Sequence, residues 1–260
     1  MVREFEGKYG IILGGSSGLG YASALKLAQH GMNLIIFYRA SRMQLPEIEE
    51  RFSKIKEQNI SLFTINTDAT REDRLDSNIH QIKELLENQP IYLLLHSISK
   101  GNLKPMTGES VLSSGDFQQT IYSMGISLYS WVSRLQQEQL FAQPARVISF
   151  TSEGNTKPMI GYAAVSAAKA TLEAINRNIA LEFAPFNITA NCIQAGVTDT
   201  ESLKRIPMYD QLKSESLKRN PNQRLTMPED VANAVYLLAR KESQWMTGNV
   251  LKVDGGEFLQ

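Results

Sequence analysis

The chain has 260 residues and a mass of 29.1 kDa, with 27 basic and 27 acidic side chains and a pI near 6.9. This length buries a full core yet fits one α/β domain over 1–260, and the balanced charge gives no global field to hold a polyanion, so a small-molecule partner is expected and nucleic acid is not. The first residues, "MVREFEGKYG", are charged and no run of about eighteen apolar residues occurs, so neither secretion nor a membrane span is expected, and the single cysteine, Cys192, fits a cytoplasmic protein as a buried, inert thiol.

Apolar runs rich in β-branched residues recur along the chain: "YGIIL" (9–13), "NLIIFY" (33–38), "SLFTIN" (61–66), "IYLLLH" (91–96), "RVISFT" (146–151), "ITANCI" (188–193) and "NVLKV" (249–253). Such runs, without polar alternation, fit strands buried on both faces. Helical patterns fall between them at 21–30, 46–58, 71–88, 116–140, 162–183 and 229–240. In the last, "MPED" (227–230) reads as a helix start with Pro228 in the first turn. The alternation predicts an α/β fold of Rossmann type: a doubly wound, seven-stranded parallel sheet with helices on both faces. Three scattered histidines, His30, His80 and His96, lack ligand spacing, so no metal site is expected.

After the first strand, "LGGSSGLG" leads into a helix. Glycines there allow a tight turn, close approach of a pyrophosphate and close helix packing, while the helix N-terminus offers N–H groups to the anion. The candidate contacts are Gly14, Ser16, Ser17, Gly18, Leu19 and Gly20; an ordinary glycine-rich turn is the alternative. The second strand ends in "FYRASR", with Arg39 and Arg42 and no carboxylate. Guanidinium favours a 2′-phosphate where a carboxylate would favour a ribose hydroxyl, so NADPH is expected over NADH. In "NTDAT" at the third strand's end, Asp68, with Ala69 beside it, accepts from the adenine amino group or caps the following helix.

"GYAAVSAAKA" (161–170) places Tyr162 seven residues and Val165 four residues before Lys169. In a helix these two positions share nearly one face, separated by roughly 4.5 Å along the axis. A ketone reductase needs its acid close to the carbon that accepts hydride. In an enoyl thioester, hydride reaches the β-carbon and charge develops on a carbonyl oxygen displaced by roughly 2 Å more. Tyr162 in the outer position, with Val165 in the inner one, suits the second reaction. Lys169 is expected to bind the nicotinamide ribose, and its charge to favour an ionised or strongly donating phenol.

Together with "NCIQAGVTDT" and the terminal "LKVDGGEFL", these motifs resemble the short-chain dehydrogenase/reductase family across essentially the whole chain. The six-residue gap between tyrosine and lysine, followed by "KATLEAINRNIALEFAP", is similar to bacterial enoyl-acyl-carrier-protein reductases, and "GVTDTESLKRIP" with Ser152 to their NADPH-linked type III. The resemblance implies a catalytic role for Ser152, adenine-ribose contacts at Ser97 and Ile98 in "HSIS", a carboxamide contact from the Val197 N–H beside Gly196, and a hydroxyl from Thr200. It also implies a homotetramer built on helices 116–140 and 162–183. Two residues depart from the family pattern. Leu13 replaces the usual threonine, a change expected to loosen the turn, and Met124 or Gly125 stands where ketone reductases carry an asparagine.

The segment 201–224 carries six basic and three acidic residues among Leu203, Ile206, Met208 and Leu212. In the family it covers the substrate, so an amphipathic lid over an acyl chain is expected, with basic residues that meet an acidic carrier protein or are simply solvated. The expected activity is NADPH-dependent reduction of a trans-2-enoyl thioester, carried on acyl carrier protein, in fatty-acid synthesis. The alternatives are a carbonyl reductase, such as a 3-oxoacyl-carrier reductase, and a non-catalytic nucleotide sensor.

Overall fold

The structure is a computed structural model and describes residues 2–87, 89–201, 203–206 and 209–260. Each of the seven apolar runs forms a strand: β1 (Tyr9–Leu13), β2 (Asn33–Tyr38), β3 (Leu62–Asn66), β4 (Ile91–His96), β5 (Phe141–Ser152), β6 (Ile188–Ala195) and β7 (Val250–Val253). They pair in parallel in the order β3-β2-β1-β4-β5-β6-β7. Strand order therefore reverses between β1 and β4, and a crevice opens there beyond the carboxyl ends of the strands.

The absence of polar alternation has a direct cause. Successive residues of one strand enter two different cores. Ile12, Leu34, Ile36, Leu93 and Leu95 pack beneath the helices α1 (Gly18–Gln29), α2 (Leu45–Lys56) and α8 (Pro228–Ala239). Ile11, Leu13, Ile35, Phe37 and Leu94 pack against α3 (Leu75–Leu86), α5 (Ser127–Gln137) and α6 (Ala163–Glu182) on the other face. Both faces exclude water, so every second residue is apolar and so is every one between. At the start of α8, Pro228 occupies the first turn and the Asp230 carboxylate accepts the Met227 N–H at 2.9 Å, as the sequence predicts.

Two expectations need correction, and the segment 201–224 is partly helical, as its pattern suggests. The pattern 116–140 is not one helix: α4 (Ser114–Ile121) passes through a π-helical turn at Tyr122–Ile126 into α5. Gly125 lies in that turn against α6, where an added Cβ would stand 3.0 Å from the Ala168 carbonyl oxygen; the Ser127 hydroxyl bonds the Ser123 carbonyl at 2.8 Å. Residues 71–88 begin with a 3-10 turn over Glu72–Arg74, and α3 stops at Leu86 because Glu87 is left-handed. Within 201–224, a 3-10 turn (Leu203–Arg205) precedes α7 (Tyr209–Arg219), while Pro207 and Met208 lie outside the described residues.

Trp131 of α5 ties this helix to the sheet and to the next loop. Its ring meets Phe37 edge-on at 5.0 Å, and its indole N–H donates to the Ala69 carbonyl at 2.8 Å. Trp131→Phe keeps most of the packing but orphans that carbonyl, which predicts a loss of about 1–3 kcal/mol in urea unfolding with an unchanged m-value.

Candidate active site

The glycine turn is built at the strand switch. The Gly14 N–H donates to the Phe37 carbonyl at 2.8 Å and the Ser97 N–H to the Leu13 carbonyl at 2.9 Å, tying β1 to both neighbours. Leu13 is fully buried, so it anchors the turn instead of loosening it. Gly14 has φ +89, and a Cβ on it would stand 2.3 Å from the Ser97 carbonyl oxygen; one on Gly20 would stand 2.1 Å from the Gly14 oxygen. Only glycine fits at either place. The helix starts at Gly18, so the N–H groups of the turn point to an open, anion-binding end. Thr200 lies beside Gly18, and the Ser16 carbonyl is held by Arg51 at 3.1 Å. This cradle fits a dinucleotide pyrophosphate.

Arg39 and Arg42 are exposed beyond the end of β2. Asp68 turns back on its own loop instead of capping a helix. One oxygen accepts the Thr70 N–H at 3.0 Å and its hydroxyl at 2.6 Å; the other accepts Lys100 at 2.8 Å, with Arg39 3.6 Å away. Burial raises the Asp68 carboxyl, but Lys100 and Thr70 outweigh it and hold the pKa at about 2. Lys100 was not anticipated from the sequence, since only the fold brings the end of β4 to that of β3. Ser97 and Ile98 follow β4 beside the glycine turn. His96 is a packed strand-end residue, 1% exposed: its Nε2–H donates to the Ser127 hydroxyl at 2.8 Å, and Nδ1 is buried without a partner. Burial, then the charge of Lys169, pushes its pKa down to about 3, so the ring is neutral.

Tyr162 stands at the N-cap of α6, one residue outside the helix, and is 8% exposed. Its hydroxyl donates to the Ser152 hydroxyl oxygen at 3.2 Å, which also accepts the Gly154 N–H at 3.2 Å. Gly154 allows this placement, because a Cβ there would stand 2.4 Å from the Tyr162 ring. Burial raises the phenol above its ordinary value near 10, and the Ser152 hydrogen bond only partly offsets this. Of the two forms expected, ionised or strongly donating, desolvation favours the second, a proton-bearing donor. Lys169, 6% exposed, donates to the Phe150 carbonyl at 2.7 Å, and burial lowers its pKa to about 8. Glu173, one turn further, accepts from Thr151 at 2.5 Å and from Asn155. Val165 is buried at the inner position, packed with Met124, Tyr162 and Ala168.

A cavity of about 220 Å³ opens over Ser152 and Tyr162, walled by apolar Leu103, Met124, Met159, Val165, Ile206 and Leu212. The segment 201–224 therefore does contribute to its wall. At its carboxyl end, Arg219 grips both oxygens of Glu153 at 3.2 and 3.0 Å and Glu257 at 2.6 Å. Glu257 also accepts the Val197 N–H at 3.4 Å, beside Gly196. Within the segment, Lys204, Lys213, Arg219 and Arg224 all pair with carboxylates, only Glu201 of which belongs to the segment, so much of its basic charge is already paired. No spacing in the sequence signals the Arg219 network, whose members lie on three separate segments.

A family model described as enoyl-(acyl carrier protein) reductase matches residues 14–257. The chain is 28% identical over 258 residues to the 3-oxoacyl-acyl-carrier-protein reductase of Chlamydia muridarum, covering 96% of each chain. It is 26% identical over 264 residues to a 7alpha-hydroxysteroid dehydrogenase of Paraclostridium sordellii, covering 99% of this chain and 94% of the other. Among solved structures it is similar to FabI from Candidatus Liberibacter asiaticus (TM-score 0.87, 25% identity, covering 100% and 98% of the two chains). In fold it also matches a short-chain dehydrogenase from Burkholderia cenocepacia in complex with NADP (TM-score 0.84, 21% identity, covering 98% and 99%).

The Lys169 environment predicts a pH dependence. Its ammonium is the form that donates to a ribose hydroxyl, and the free protein loses that charge as pH rises through about 8. The dissociation constant for nicotinamide dinucleotide, followed by fluorescence titration, is expected to be flat with respect to this group below pH 8 and to rise above it; Lys169→Met removes the inflection.

Proposed function

The chain belongs to the short-chain dehydrogenase/reductase family and is an NAD(P)H-dependent oxidoreductase, and from that premise we propose that it reduces the trans-2 double bond of an enoyl thioester, with NADPH as donor. The single observation that carries this reading is the position of the donor. The buried phenol of Tyr162 stands at the outer position and apolar Val165 fills the inner one. The buried Met124 and Gly125, where ketone reductases carry an asparagine, point the same way.

In this mechanism the apolar walls exclude water from the acyl chain and strengthen every hydrogen bond made inside. A bound nicotinamide dinucleotide would supply the hydride that reaches the β-carbon. The electron pair of the C=C bond moves towards the thioester, leaving an enolate whose oxygen carries the developing charge. Tyr162, a protonated donor because it is buried, turns its O–H from Ser152 to that oxygen, and Ser152 donates alongside it. Both act most strongly where charge exists only in the transition state. Lys169 orients the ribose and, through it, the reacting ring. One proton taken up from solvent at the α-carbon then completes a saturated thioester.

The names of relatives that act on acyl-carrier-protein substrates support such a thioester. Exposed Ile126 and Tyr129 at α5, and Leu181 on α6, support a homotetramer in which a second copy covers them. Among the described residues no helix is long and apolar enough to cross a membrane; a cytoplasmic enzyme of fatty-acid synthesis fits this reading. A second reading, 3-oxoacyl-thioester reduction, is favoured by several curated relatives bearing that name.

NADPH oxidation with crotonyl and acetoacetyl thioesters separates the two. Turnover of the crotonyl thioester is expected, with Tyr162→Phe lowering kcat by about a hundredfold or more and Ser152→Ala by less. Turnover of only the acetoacetyl thioester selects the carbonyl reading, and cofactor binding without turnover of either selects a nucleotide sensor.

A further inference from the structure

We propose that Lys100 is a specificity-determining residue for the dinucleotide, acting by neutralising Asp68 so that a 2′-phosphate is accepted beside Arg39. The inference rests on the NADPH reading above and explains a conflict within it. Arg39 and Arg42 suit a phosphate, yet the Asp68 carboxylate stands 3.6 Å from the Arg39 guanidinium. Left alone, that carboxylate would do two things against NADPH: occupy Arg39, and repel a dianion brought to the same spot.

Lys100 removes the conflict. It reaches across from the segment after β4, placing its ammonium 2.8 Å from the Asp68 oxygen that faces Arg39 and 3.1 Å from the Thr70 hydroxyl. The other Asp68 oxygen is taken by the Thr70 N–H and hydroxyl. The carboxylate thus has partners on both oxygens, and the loop presents a neutral pair to the phosphate. Its side chain is 17% exposed and that of Lys100 31%, so the pair is screened less by salt than a surface pair. Arg39, 67% exposed and at a longer distance, keeps its guanidinium available to solvent and ligand.

The test measures dissociation constants of NADPH and NADH, by nucleotide fluorescence, for the wild type, Lys100→Met, Lys100→Arg and the double variant Lys100→Met/Asp68→Asn. Asparagine retains the oxygen that accepts from Thr70 while removing the charge. The wild type is expected to prefer NADPH. Lys100→Met should weaken NADPH by about five- to tenfold, with NADH unchanged or tighter. Lys100→Arg should retain the preference, and the double variant should recover it. Loss in Lys100→Met without recovery in the double variant means that Lys100 meets the phosphate directly, which overturns the neutralising role. A wild type that prefers NADPH and a Lys100→Met variant with the same ratio overturn the inference alone; a wild type that prefers NADH overturns the NADPH reading and the inference with it. Thermal unfolding of each variant with saturating NADPH separates lost affinity from lost folding.

Discussion

The last three residues of β5 each hold a side chain of α6, its cap or its first turns, and the chemistry depends on that row. Phe150 gives its carbonyl to Lys169, Thr151 its hydroxyl to Glu173, and Ser152 accepts the hydroxyl of Tyr162. All three are registered against β6, Phe150 to Ile193, Thr151 to Gln194 and Ser152 to Ala195, so one of these contacts cannot shift without the others. Burial then sets the protonation states. It raises the phenol and lowers the lysine, whose electrostatic reach extends to His96. The site thus holds a neutral donor and a lysine near its titration point. Enoyl chemistry needs a donor for a developing oxyanion, not a ground-state base.

A second constraint is steric and lies at glycines. Gly14 and Gly20 bring the β1 turn within contact distance of the Ser97 strand end, and Gly154 lets the Tyr162 ring approach the loop after β5 closely. The dinucleotide cradle and the donor therefore depend on backbone approaching backbone or ring, where no side chain fits. The lid is held differently, through charge. Arg219 joins α7 to Glu153, next to Ser152, and to Glu257, whose other oxygen takes the Val197 N–H. One guanidinium connects the wall of the acyl cavity, the donor loop and the segment expected to face the nicotinamide.

Much of this could be read from residue order, for physical reasons. Strands buried on both faces leave uninterrupted apolar runs, so all seven were visible, and a glycine turn between strand and helix has few other uses. The Tyr162 and Lys169 pair was readable because helical spacing fixes their relative height. What escaped has causes remote in sequence. The π-turn at 122–126 depends on Gly125 meeting a carbonyl of α6, and the helix pattern by itself gives no sign of that. Asp68 reads as an adenine acceptor or a cap, and nothing near it in sequence announces Lys100, which reaches it from the loop after β4. The basic character of 201–224 left carrier docking and plain solvation both open, and residue order does not show that four of its cations have carboxylate partners, three of those partners lying outside the segment. The choice between an ionised and a strongly donating phenol stayed open because sequence gives the lysine's proximity but not the depth of burial.

That protonation state is the centre of the account, and it can be measured directly. With ring-labelled tyrosine, the ¹³Cζ resonance of Tyr162 in the free protein, assigned by its loss in Tyr162→Phe, reports the charge of the phenol as pH is raised. A resonance that stays in the protonated range past the ordinary tyrosine value near 10 is the predicted result. A midpoint well below that value, in the range where the enzyme works, would mean that Lys169 and not burial governs the phenol, and would contradict the donor role on which the proposed reduction rests.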